Sequence, residues 1–205
     1  MTAEAHVYPP PEALAKHAWV SGMDAYRALC DEAGRDHEAF WARLARELIS
    51  WHKPFTRILD TSNAPFFKWF EDGTLNASYN CLDRQVEAGR GEQVALIFEA
   101  DDGQVTKATY RDLLSRTCQL ANALREQDHP DGACIAILCR NHRWLIDALF
   151  GAAKLGARTV FLNTDFAGPQ LRDVCQREGV DVLIYDEEFA DTVAGVDPVI
   201  LLSDA

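Results

Sequence analysis

Apolar and polar positions along this chain follow two periods, and the change falls near residue 90. Residues 1–20 show no helical stripe, and Pro9, Pro10 and Pro11 block a helix there, so this stretch reads as a loosely packed arm. From Ser21 to about Ser50 apolar residues recur every three or four positions. Ser21 is placed to cap a helix carrying Tyr26 and Leu29. A second helix, starting near Asp36, sets Phe40, Leu44 and Leu48 on one face and is ended by Pro54. The aromatic-rich stretch from Trp51 to Phe70 has no clean period and reads as a packed arm. Asp72-Gly73 reads as a tight turn in which Gly73 supplies a positive φ. Asn76 then caps a helix with Leu75, Tyr79, Leu82 and Val86 on one face, and Gly89 stops it.

Beyond that point strands alternate with helices. Val94–Glu99 and Val105–Ala108 read as a hairpin joined at Asp101-Asp102-Gly103-Gln104. Thr109, with Asp112 three residues on, opens a helix whose buried stripe is Tyr110, Leu113, Leu114, Thr117, Ala121 and Leu124. Asp131-Gly132 is a turn into a strand over Ala133–Cys139. Asn141 caps a helix that ends at Gly156. A strand over Arg158–Leu162, a helix over Pro169–Glu178, a strand over Asp181–Tyr185 and a last strand over Pro198–Leu202 complete the pattern. Strands and helices alternating at these lengths predict an α/β fold with a mostly parallel sheet flanked by helices. The continuous apolar runs Ala133–Leu138 and Val182–Tyr185 suit strands covered on both faces.

Composition narrows the functional classes. The chain has 205 residues, 48% hydrophobic and 25% charged, with a net charge of −12 and a pI near 4.8. That balance argues against a nucleic-acid backbone or an anionic membrane as partner. No apolar run reaches the length of a bilayer span, and the first eleven residues lack the basic start and apolar middle of a secretory signal. Cys30, Cys81, Cys118, Cys134, Cys139 and Cys175 lie within apolar patterns and read as reduced thiols, so a cytoplasmic location is expected.

A string of separated motifs says more. Phe40-Trp41, Trp51-x-Lys53-Pro54-Phe55, Trp69-Phe70-Glu71-Asp72-Gly73, Cys81-Leu82-Asp83-Arg84 and Thr109-Tyr110-x-Asp112-Leu113 occur in this order. Together they resemble the N-terminal region of the AMP-forming acetyl-CoA and propionyl-CoA synthetases, members of the adenylate-forming superfamily. Up to about Gln127 the likeness is to the acetyl type. From about Asp128, Asn141-His142, the helix end Gly151–Gly156 and Leu162-Asn163-Thr164 look more like fatty acyl-CoA synthetases.

The resemblance implies an acid–thiol ligase region and, for the full-length family, ATP, Mg and CoA. It also implies a helical N-terminal arm over residues 1–90 and an incomplete AMP-binding domain over 91–205. The family's phosphate-cradling run, similar to T-S-G-T-T-G-x-P-K-G, is absent from this sequence, and so is the family's adenylation lysine. No catalytic residue, metal ligand or cofactor is therefore assigned to this chain alone. Its expected partner is the remainder of a synthetase or a full-length synthetase.

Chemistry-bearing residues have competing readings. Asn163 and Thr164, at the carboxyl end of a parallel strand, are the candidate CoA-facing residues, against a plain polar turn. The family's two CoA-phosphate arginines align with Ala190 and Val193, so that grip is not expected here. Cys134 and Cys139 lie on opposite faces of one strand and read as buried thiols rather than metal ligands. His142, between Arg140 and Arg143, reads as a solvated first helical turn or a phosphate site. Asp186-Glu187-Glu188 reads as a solvated acidic loop or an Mg²⁺ site. The cluster Phe66–Phe70 reads as core rather than as a membrane anchor.

Overall fold

The computed structural model describes residues 8–127 and 132–196. The strand expected over Pro198–Leu202, and Asp131 of the turn expected before the Ala133–Cys139 strand, lie outside the described residues. The chain divides into two compact units, one up to Thr74 and one from Leu75. The boundary expected at residue 90 falls inside the second unit, next to Gly89.

The first unit is helical with an aromatic centre. Helices α1 (Glu12–His17), α2 (Gly22–Arg35) and α3 (His37–Leu48) follow one another. Helix α1 forms directly behind the prolines, with Pro11 at its N-cap, and buries nothing. Ser21 sits at the N-cap of α2 without capping it; its hydroxyl donates back to the Ala15 carbonyl. Asp36 does cap α3, its carboxylate accepting from the Ala39 N–H at 2.9 Å. The buried side of α3 is Phe40, Ala42 and Ala45, whereas Leu48 is 49% exposed. The helix ends six residues ahead of Pro54.

Ala42, Ala45 and Phe55 form the core of this unit, with Trp51, Ile58 and Phe70 against it. Trp51, Phe55 and Phe70 meet at centroid distances of 4.4–5.7 Å, the range in which aromatic pairs attract. A short antiparallel pair, β1 (Leu59–Asp60) and β2 (Lys68–Trp69), interrupts the stretch expected to be irregular.

The Trp69–Gly73 motif is explained by these contacts. Trp69 meets His37 and Trp41 edge-on. The Asp72 carboxylate accepts from the Thr56 hydroxyl and from the backbone N–H groups of Thr56 and Arg57. The Thr56 hydroxyl and then the Arg57 amide hold the Asp72 carboxyl down to about 2. Gly73 does not supply a positive φ; the left-handed residue of this turn is Phe70, at φ 53°. Gly73 is needed for space, since a Cβ there would stand 2.7 Å from the Trp51 ring.

The second unit begins with a cap. Asn76 accepts from the Tyr79 N–H at 3.0 Å, and its amide donates to the Ala153 carbonyl at 2.8 Å. The helix behind it is wide, with π-type turns over Tyr79–Asp83 and Val86–Arg90. Leu82 is buried, while Leu75 and Tyr79 are 42% and 37% exposed. Gly89, at φ 79°, does not stop it but kinks it one residue before its last residue, Arg90. Strands β3 (Val94–Glu99) and β4 (Val105–Thr109) form the expected hairpin. Helix α4 (Tyr110–Arg125) opens with a full capping box between Thr109 and Asp112.

Then come β5 (Cys134–Leu138), α5 (Arg143–Lys154), β6 (Arg158–Phe161), α6 (Gly168–Glu178), β7 (Val182–Tyr185) and α7 (Ala190–Val193). The sheet is parallel, in the order β6-β5-β7. Ile135, Ile137 and Cys139 face α4 and α5 on one side. Cys134, Ala136 and Leu138 face α6 and α7 on the other. This is the expected α/β architecture: a helical N-terminal region followed by a parallel sheet between helices.

Gly73→Ala is expected to destabilise the chain by about 1–3 kcal/mol, the usual cost of overpacking. Gly34→Ala, in α2 with open space around it, should be neutral or stabilising by up to about 1 kcal/mol. Urea unfolding followed by tryptophan fluorescence separates the two.

Candidate functional site at the carboxyl end of the parallel sheet

Strand β5 is central. Its chain returns on one side through α5 to β6, then crosses through α6 to β7 on the other. The carboxyl end of β5 is therefore a topological switch point, where open α/β sheets bind ligands. Three loops meet there: Cys139–His142 after β5, Leu162–Phe166 after β6, and Asp186–Phe189 after β7.

Asp186 organises two of them. It is 2% exposed. Its carboxylate accepts from the Arg140 N–H at 2.7 Å and lies 2.9 Å from His142 Nε2 through either oxygen. On the other side of the ring, Nδ1 accepts from the Trp144 N–H at 3.2 Å. An accepting Nδ1 leaves the ring proton on Nε2, so His142 donates to Asp186. His142 thus caps α5, the role expected of Asn141, and its side chain is only 13% exposed. Neither His142 nor Asp186 is solvated as the sequence reading expected, because each shields the other from water.

Cys139 Sγ, His142 Nε2 and an Asp186 oxygen lie within 4.8 Å of one another, close enough to hold a metal ion. The proton arrangement opposes this: a metal on Nε2 would need the lone pair that now carries the proton, and Nδ1 is committed to Trp144. Burial, and then the Asp186 charge, push the Cys139 thiol up to about 12, so it stays protonated beside the carboxylate. Cys134 and Cys175 are raised by burial too. None of these thiols has the lowered pKa of a nucleophile.

Outside this buried trio the face is polar. Arg140 grips Glu188 with two bonds of 2.9 Å and stacks over Phe189 at 5.0 Å. Its third nitrogen lies 3.5 Å from the Thr164 hydroxyl. Glu188 is accordingly an ion-pair partner and not a free acidic group, and the Arg140 guanidinium holds its carboxyl below the usual range. Asn163 is exposed and its side chain closes a local turn, accepting from the Asp165 N–H at 3.0 Å. Asn163 and Thr164 thus lie at the switch point, and Arg140 joins them from the neighbouring strand. The sequence reading weighed Arg140 only as a neighbour of His142. Its position, two residues past the fully buried strand β5, is the signal that could have placed it here. The face offers hydrogen-bond donors and one neutralised cation.

The family model described as "AMP-binding enzyme" matches residues 82–204. The one described as "Acetyl-coenzyme A synthetase N-terminus" matches residues 26–81. Among relatives, an acetyl-coenzyme A synthetase from Burkholderia lata is 51% identical over 187 residues, covering 91% of this chain and 28% of the relative. One from Cupriavidus taiwanensis is 49% identical over 185 residues, covering 90% and 28%. The chain therefore spans about 28% of the length of these relatives. The aligned 187 residues are too many to stop at residue 127, so the likeness to acetyl-coenzyme A synthetases continues into the β5–β7 sheet.

Asp186→Ala would leave the Arg140 N–H and the His142 Nε2 proton buried without their acceptor. The expected cost is about 3 kcal/mol by denaturant unfolding. In thiol labelling of the native chain, exposed Cys30 and Cys81 should react first, with Cys134, Cys139 and Cys175 protected. In the Asp186→Ala chain, Cys139 should join the fast group.

Proposed function

The chain belongs to the AMP-binding enzyme family, and from that premise we propose that it supplies the N-terminal part of an AMP-forming acyl-CoA synthetase acting on a short-chain carboxylate such as acetate or propionate. The match of two family models in tandem carries this reading. The reaction would join a carboxylate to CoA with ATP converted to AMP and pyrophosphate. Within it, this region acts as scaffold. The β5–β7 sheet and its capped helices present the Asn163, Thr164 and Arg140 face to the nucleotide end of CoA, while ATP, Mg²⁺ and the carboxylate are handled by segments this sequence does not contain.

The chemistry present supports a scaffold role. Adenylation needs donors aimed at developing charge on the phosphates. The Ser/Thr/Gly-rich run that would supply them is absent from the sequence, and the cation at the sheet end is already paired with Glu188. A second reading is a stand-alone module that pairs with a full-length synthetase or with a separately encoded remainder. It is favoured by the outer strands: among the described residues, β6 and β7 each pair only with β5. Open strand edges are templates for further pairing.

The purified 205-residue chain is expected to give no ATP–pyrophosphate exchange above background with acetate or propionate. Robust exchange would overturn the scaffold reading. Under the second reading, mixing with a full-length acetyl-CoA synthetase should give one monodisperse complex in size-exclusion chromatography with light scattering; two unshifted peaks would remove it.

A further inference from the structure

The three loops at the carboxyl end of the sheet carry one permanent cation, Arg140, and four carboxylates, Asp165, Asp186, Glu187 and Glu188. Asp186 is buried and committed to the Arg140 N–H and to His142. Asp165, Glu187 and Glu188 are exposed. The next cation along the chain, Arg143, opens α5 and stacks on Trp144 at 4.7 Å. Even with Arg143 included, negative charge dominates this end of the sheet.

The charge of Arg140 is engaged within the chain. Its Nε and Nη2 each bond a Glu188 oxygen at 2.9 Å, the forked geometry in which a guanidinium holds a carboxylate best. A phosphate monoester would seek that same fork. Glu188 first, then Asp165 and Asp186, raise the Arg140 pKa, so three carboxylates lie within reach of its charge. Arg140 Nη1 is turned to Thr164, 3.5 Å from its hydroxyl.

The helix starts on this face are also capped from within. His142 accepts from the Trp144 N–H of α5, and Gln170 accepts from the Ala167 N–H ahead of α6. An arriving anion therefore meets a competing acceptor at the fork and at both caps, with like charge around them. A neutral group meets no such opposition: the Thr164 hydroxyl donates or accepts, and the Asn163 amide donates.

Resting on the reading of this face as CoA-facing, we propose that it selects its ligand by charge, with Glu188 as the specificity-determining residue. The face accepts the uncharged sugar and base of a nucleotide and discriminates against a terminal phosphate monoester. Glu188 occupies the fork that such a phosphate would take. Dephospho-CoA, which lacks the 3′-phosphate, is then a better ligand for this chain than CoA.

Titration of the full chain with each compound at low salt, followed by the amide NMR signals of the Leu162–Phe166 loop, tests this. Dephospho-CoA should bind about two- to fivefold tighter than CoA, the range for interactions between exposed charges; the Arg140 and Glu188 side chains are 53% and 48% exposed. Salt at about 1 M, which screens beyond about 3 Å, should abolish the difference in the native chain. Glu188→Gln, which keeps the shape and removes the charge, should abolish or reverse it. Equal or tighter binding of CoA by the native chain would overturn the inference and leave the CoA-facing reading in place. So would a preference for dephospho-CoA that survives both high salt and Glu188→Gln. No shift of the loop signals with either compound would remove that reading and this inference together.

Discussion

Strand β5 is the constraint on which the second unit depends. All five of its residues, Cys134–Leu138, are buried, none above 2% exposure. It pairs on both edges and is covered on both faces. A strand in that position has no freedom of register, because a one-residue slip would exchange its two faces. The alternating sets Ile135/Ile137 and Cys134/Ala136/Leu138 then decide which helices lie above and which below. The loop leaving its carboxyl end must carry Arg140 and His142 to one place, and Asp186, from the adjoining strand, fixes them there.

The family signature in this chain is mostly structural. Asp72 ties down the Thr56-Arg57 backbone, Gly73 makes room for Trp51, Asp83 accepts from Lys154 at 2.7 Å, and Thr109 with Asp112 caps α4. Each is a specific side-chain solution to a local packing or hydrogen-bonding need.

The elements governed by local chemistry were legible in the sequence. The hairpin β3–β4 follows from alternation around a Gly-containing turn, and α4 follows from its capping box. Strands β5 and β7 follow from unbroken apolar runs. What could not be read depends on distant partners. His142 and Asp186 are 44 residues apart, so nothing near either one announces that the other buries it. The π-type turns at Tyr79–Asp83 leave the same apolar spacing as an ordinary helix over so short a stretch. Gly73 was assigned a dihedral role because turns usually need one, whereas a tryptophan ring 22 positions earlier sets its requirement. Of the face at the sheet end, Asn163 and Thr164 were found by strand position, and Arg140 emerged only once β5 was set beside β6 and β7.

Native-state hydrogen exchange tests most directly whether β5 is the spine of the fold. The amides of Ile135–Leu138 should be the slowest in the chain and should exchange only through global unfolding of their unit. If they exchange as fast as those of the β3–β4 hairpin, the sheet is not organised around β5, and this account of the carboxyl-end face is wrong.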